Sequence, residues 1–291
     1  MTPASDDGPV DPRSALAGLW APVLTPFRDD LSVDFERFGG FCRELLDEGC
    51  HGLALLGTTS ETPSLTIDER RRLLEAALAA GVPASRITCG TGACALPDAV
   101  ELTRHAMQCG CLATMLLPPF YFKGIGDEGC FRSIAEVIER TGDDRLRVVL
   151  YNIPALSGVT FTPTVVQRLI SAFGSIIAGI KDSSGDPMST LRFTKAFKKL
   201  AILAGTEGYL CAALRAGASG CVTATANVRA RAIRALLDDW QGAGARERQA
   251  EVTEYRASLE REVDIIVAMK RLLAERTGHA AWALVRPPLI G

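Results

Sequence analysis

Short apolar runs alternate with longer segments of helical spacing through most of this chain, and no other feature narrows its fold as much. Strand-like runs fall at residues 18–24, 52–57, 86–90, 112–117, 147–151, 176–181, 201–204 and 220–224. Helix-like segments lie between them, at 35–48, 67–80, 97–109, 128–140, 163–172, 189–199 and 208–216. Thr66 is the expected N-cap of the second helix, with Asp68 and Glu69 in its first turn and Gly81 as its stop. Pro97 and Pro163 suit first-turn positions. Eight strands separated by helices imply an α/β fold, a closed parallel (β/α)8 TIM barrel. The competing doubly wound open sheet usually has fewer strands and often a Gly-rich dinucleotide turn. Gly90-Thr91-Gly92 is only a fragment of such a turn.

From Val228 the pattern changes to helix after helix. Residues 229–240 and 246–270 are both helical in spacing, with Gln241-Gly242-Ala243-Gly244 as the break. The expected organisation is a disordered polar leader over 1–13, a catalytic barrel over 14–227 and a C-terminal helical extension over 228–291. The leader lacks the apolar core of a signal peptide.

Composition excludes several partners. Of 291 residues, 47% are hydrophobic and 23% charged, and the net charge is only −2, so neither nucleic acid nor an anionic membrane is an expected partner. A small anionic substrate must then be held by local groups. No apolar run approaches membrane-spanning length. The nine cysteines are odd in number and scattered through apolar segments, which fits reduced thiols in a cytoplasmic protein. Cys109-Gly110-Cys111 is not a C-x-x-C pair. With only His51, His105 and His279 and no zinc-type spacing, no metal site is expected.

Four strand ends carry unusual residues, and in a barrel of this kind the active site is built where strands end. Strand two ends in Gly57-Thr58-Thr59-Ser60-Glu61, strand four in Pro118-Pro119-Phe120-Tyr121, strand five in Tyr151-Asn152-Ile153-Pro154, and strand six in Lys181. A lysine where a buried strand leaves the core is partly desolvated, which favours the neutral amine needed to attack a ketone. In isolation such a lysine is more often an ordinary solvated strand end. Gly57-Thr58-Thr59 offers two hydroxyls and backbone N–H groups that could grip a carboxylate, although an isolated G-T-T more often caps a helix. Tyr151 is a candidate proton shuttle, provided a nearby cation lowers its pKa from about 10. Its bland alternative is a rim aromatic with a solvated hydroxyl.

Jointly the strings G-T-T-x-E, P-P-F-Y, Y-N-I-P and G-I-K, on strands two, four, five and six, resemble the dihydrodipicolinate synthase / N-acetylneuraminate lyase family of class I aldolases. The resemblance spans residues 18–227, and the helical tail is in keeping with it. It implies that Lys181 forms a Schiff base with pyruvate or another 2-oxo acid. Tyr151 then shuttles protons, and Thr58 and Thr59 hold the carboxylate, with Thr59 also relaying protons. Tyr121 completes the relay across a subunit contact, and Gly205 and Glu207 lie where the second substrate binds. It further implies a homotetramer and no cofactor, because the iminium itself stabilises the carbanion.

Two positions depart from the family pattern. Ser60 stands where the turn usually has a second glycine. Leu156 stands where the synthases usually place an arginine for the aldehyde's carboxylate, and an aliphatic side chain cannot replace that cation. The string Y-N-I-P-A-L-S-G is similar to the neuraminate lyases instead, yet at strand seven only Glu207 remains of the acidic pair expected of them. Three functions follow. One is a lyase joining pyruvate to an aldehyde, like 4-hydroxy-tetrahydrodipicolinate synthase. Another is an aldolase or dehydratase for neuraminate or a 2-keto-3-deoxy sugar acid. The last is a non-catalytic pyruvate sensor, which the retention of Lys181, Tyr151, Thr59 and Tyr121 argues against.

Overall fold

A computed structural model describes residues 11–261 and 264–291. All eight apolar runs form strands: β1 Gly18–Pro22, β2 Gly52–Leu55, β3 Ile87–Gly90, β4 Ala113–Leu116, β5 Val148–Asn152, β6 Ile177–Asp182, β7 Ala201–Ala204 and β8 Gly220–Val222. They pair in parallel in sequence order, and β1 closes on β8 through Gly18↔Gly220 and Trp20↔Val222. Every strand residue is buried, because helices cover the outside while side chains fill the inside. Alternation along β5 shows both destinations. Val149 and Tyr151 join Trp20, Met115, Leu203 and Val222 inside the barrel, whereas Val148 and Leu150 pack outward under the helices.

The barrel helices are Phe35–Asp47, Ile67–Ala79, Leu96–Gln108, Asp127–Thr141, Pro163–Phe173, Pro187–Ala196, Leu210–Arg215 and Ala226–Asp238. Thr66 caps the second as expected. Its hydroxyl accepts from Glu69 N at 3.1 Å while Glu69 accepts from Thr66 N at 2.9 Å, a reciprocal pair of the kind worth about 1 kcal/mol.

Three boundaries differ from expectation. Residues 11–13 do not belong to a disordered leader. Asp11 caps a short helix, Pro12–Ala15, and Arg13 donates to the carbonyls of Lys198 and Gly217 at 2.8 Å each. Leu16 then takes the Trp20 indole N–H on its carbonyl at 2.9 Å, plugging the bottom of the barrel. Gly52 is required there, since a Cβ would lie 2.2 Å from the Trp20 ring. Residues 1–10 of the expected leader lie outside the described residues. The barrel also runs past 227, because Ala226–Asp238 is its eighth helix, burying Ala230, Ile233 and Leu236 at a three-residue spacing. Lastly, the expected helix over 246–270 is two helices, Ala245–Leu259 and Ile265–Thr277. The second has its own cap, with Asp264 Oδ1 accepting from Ile266 N at 2.8 Å. Periodicity does not see such a break, because both helices keep apolar positions in step. No described helix is long and apolar enough to cross a membrane. Seven of the nine cysteines are buried free thiols; Cys109 is half-buried and Cys94 exposed.

Candidate active site

The register of β5 on β6 creates the centre of the site. It sets Tyr151 beside Lys181 and Asn152 beside Asp182. Lys181 is 3% exposed and Tyr151 4%, and the Lys181 Nζ lies 3.9 Å from the centroid of the Tyr151 ring. The Tyr151 hydroxyl is 3.3 Å from Thr58 Oγ1. Burial alone would push the Tyr151 phenol up. The Lys181 cation and the nearby hydroxyls of Thr58 and Ser183 outweigh burial, so the phenol titrates below its ordinary value of 10. A phenol with a lowered pKa beside an amine is an arrangement suited to imine chemistry.

Asn152 and Asp182 hold the two strand ends in place. Asn152 Nδ2 donates to Asp182 Oδ1 at 2.8 Å, and its own Oδ1 accepts from Phe161 N at 3.1 Å. Asp182 Oδ2 accepts from Thr190 Oγ1 at 2.8 Å. Gly205 N donates to the Asp182 carbonyl at 2.7 Å, an approach only glycine permits, since a Cβ would lie 2.1 Å from Ser183 Oγ. The sixth apolar run of the sequence stops at Lys181, one residue short of Asp182, which the structure places in β6. The available signal was a carboxylate directly after a buried lysine on an apolar strand.

The turn after β2 is a 3-10 helix, Thr58–Ser60, that begins at Gly57. Thr59 is buried, and Thr58 reaches Tyr151. Ser60, the residue in place of glycine, is fully buried: its hydroxyl donates to Val23 O at 2.6 Å, and Thr25 Oγ1 donates to Ser60 O at 2.8 Å. The departure therefore ties the turn to the end of β1. A cavity of about 190 Å³ lies against Thr58 and Tyr151 and extends past Arg70 to Phe120.

The remaining candidates are not gathered at this centre. Tyr121 is 75% exposed and packs edge-on against Phe122, with ring centroids 5.5 Å apart. Leu156 is 59% exposed on a short helix, Pro154–Ser157. The Lys123 ammonium donates to the carbonyls of Leu156 and Ser157 at 3.2 and 3.3 Å. Gly158 leaves room for it, since a Cβ there would lie 2.5 Å from Lys123 Cδ. Glu207 is fully buried, with its Oε2 bonded to the Thr223 hydroxyl and 3.3 Å from Arg256 Nη1. The carboxylate expected to meet a second substrate is thus engaged by an arginine of the C-terminal extension. Arg256 carried no signal in the sequence, being one of many cations on a polar helix.

The sequence model of the Dihydrodipicolinate synthetase family matches residues 15–291. The chain belongs to that family. It is accordingly a class I lyase working through a lysine Schiff base. An uncharacterized DapA-like lyase of Chloroflexus aurantiacus is 36% identical over 244 residues, covering 82% of this chain and 80% of that one. The crystal structure of dihydrodipicolinate synthase from Agrobacterium tumefaciens superposes with a TM-score of 0.87 at 33% identity, covering 94% and 93% of the two chains. A prophage protein of the family from Escherichia coli K12, solved in complex with pyruvate, superposes with a TM-score of 0.85 at 25% identity, covering 94% and 93%. Family membership accords with the closed barrel and with the helices after it.

Proposed function

We propose that this lyase makes or breaks a carbon–carbon bond between pyruvate and an aldehyde, with Lys181 as the Schiff-base residue. The observation that carries the reading is the buried Tyr151–Lys181 pair with Thr58 on the phenol. The family member solved with pyruvate supports the choice of 2-oxo acid. Lys181 passes its ammonium proton to the Tyr151 phenolate and the neutral Nζ attacks C2 of pyruvate; Tyr151 returns that proton to the carbinolamine hydroxyl, which leaves as water and gives an iminium ion. Tyr151 takes a proton from C3, and the C–H electron pair moves toward the iminium nitrogen to give an enamine. The enamine C3 attacks the aldehyde carbon, whose oxygen takes up a proton. Water then cleaves the imine, releasing product and the lysine. Cleavage runs the same steps backwards. Thr58 and Thr59 hold the carboxylate throughout.

Reductive trapping tests the reading. Borohydride with pyruvate adds a stable mass increment to Lys181, located by peptide mass spectrometry. An increment on another residue, or none, removes Lys181 from the mechanism.

A second reading, an aldolase or dehydratase for a 2-keto-3-deoxy sugar acid or neuraminate, draws on Leu156. An uncharged side chain at the rim suits a substrate whose distal part is a neutral polyol. Relative kcat/KM over a panel of aldehydes and sugar acids separates the two. We also propose a homotetramer in which Tyr121, exposed in the single chain beside Phe122, meets another subunit. Light scattering at micromolar concentration checks it, and a monomer leaves Tyr121 without that role.

A further inference from the structure

Glu61 and Lys270 form an ion pair that the chemistry above does not use. Glu61 is 3% exposed and Lys270 is fully buried. Lys270 donates to Glu61 Oε1 and, at 2.7 Å, to the carbonyl of Leu284, and its ammonium lies 4.3 Å from the Phe27 ring centroid. The other carboxylate oxygen, Oε2, accepts from the backbone N of Arg286 at 2.9 Å. The Arg286 side chain grips the same region, bonding Ser64 O at 2.8 Å and both oxygens of Glu69 at 2.6 and 2.9 Å. Helix Ile265–Thr277 and the tail behind it therefore close on one carboxylate.

That carboxylate belongs to a residue in an uncommon conformation. Glu61 has φ +54° and ψ 32°, a left-handed geometry that a non-glycine residue keeps only when its surroundings impose it. It ends the 3-10 turn that carries Thr58 and Thr59 and begins the next one, Thr62–Ser64. Moving residue 61 moves both threonines. A buried ion pair is a poor source of stability compared with apolar side chains of the same volume, so a role in position is the better account of this one.

We propose that Glu61 and Lys270 are positioning residues that hold the Thr58–Thr59 turn in its carboxylate-binding shape, making capture of the 2-oxo acid depend on the C-terminal helices. The inference rests on the proposed reading of Thr58 and Thr59 as the carboxylate grip. Tyr151 on β5 and Lys181 on β6 are fixed by their own strands and meet this turn only through the Thr58 hydroxyl on the Tyr151 phenol. Losing the pair should therefore weaken capture without abolishing imine formation.

The test is the pyruvate dependence of borohydride trapping in the full-length wild type, Lys270→Met and Glu61→Gln, with thermal midpoints measured alongside. Lys270→Met raises the half-saturating pyruvate concentration about tenfold or more, the effect of one lost charge-assisted hydrogen bond. The trapped fraction at saturation stays that of the wild type. Glu61→Gln keeps the size and an acceptor, so its shift is smaller, about threefold. It decides the matter if Lys270→Met does not fold. A folded variant with a lowered midpoint and an unshifted trapping curve overturns the inference, because the pair then only stabilises. Absence of trapping in the wild type is a different result: it removes the proposed chemistry itself.

Discussion

At the ends of β5 and β6, Tyr151, Asn152, Lys181 and Asp182 are all buried and bonded across neighbouring elements. On the segments that follow β4 and β5, Tyr121, Phe122 and Leu156 are mostly exposed. The first region is over-determined: two strands, the loop after β6 and a glycine contact from the end of β7 fix the same atoms. In the second, the backbone around Leu156 is bonded by its own turn and by the Lys123 ammonium, while the side chains of Tyr121, Phe122 and Leu156 stand out from it. The difference separates two tasks. Imine chemistry needs reacting groups fixed to a fraction of an ångström and shielded from water. On the proposed reading, choosing an aldehyde and meeting another subunit fall to the rim, where side chains change without disturbing the barrel.

The largest expected effect lies in the buried region. Tyr151→Phe lowers kcat by about 10²–10⁴, the range for a positioned acid or base, while pyruvate binding suffers less. An unchanged kcat would show that the buried region does not carry the proton transfer, and the contrast between the regions would collapse.

The rim gives the next effect. Turnover of aspartate semialdehyde by the wild type is poor, and Leu156→Arg raises its kcat/KM about ten- to a hundredfold by supplying a cation for the carboxylate. Lys123 is the nearby group that would mask the deficit, since an ammonium has three N–H donors and the two carbonyls use two. Efficient wild-type turnover that Lys123→Met abolishes would move the carboxylate contact to Lys123. Efficient turnover indifferent to both changes would show that this rim does not choose the substrate.

Ser183→Ala gives the smallest effect and sharpens the account of the buried region. The Ser183 hydroxyl is one of the polar groups near the Tyr151 phenol that lower its pKa. Losing that group raises the phenol's pKa. If Tyr151 acts as the base, activity rises as pH climbs through that pKa, so the acid-side limb of the pH–rate profile shifts to higher pH. The shift corresponds to a single hydrogen bond, about 0.5–1.5 kcal/mol. A limb that stays in place assigns the titration to another group.

Much of this molecule is legible in one dimension. The eight strands follow from runs of apolar residues, and their helices from spacing, the Thr66 cap and first-turn prolines. These signals are local, and the closed barrel is the solution that buries all of them at once. Lys181, Tyr151, Thr58 and Thr59 were legible for the same reason, as polar residues at the ends of apolar runs. Tertiary structure alone decided what these groups touch. Asp182 meets Asn152 from thirty residues away, Glu61 meets Lys270 from more than two hundred, and Glu207 turns to Arg256 on a helix outside the barrel. Periodicity reports which face of an element is apolar. It carries nothing about which buried charge finds which partner, because that pairing is set by how the elements pack, and desolvation makes a partner necessary without naming it.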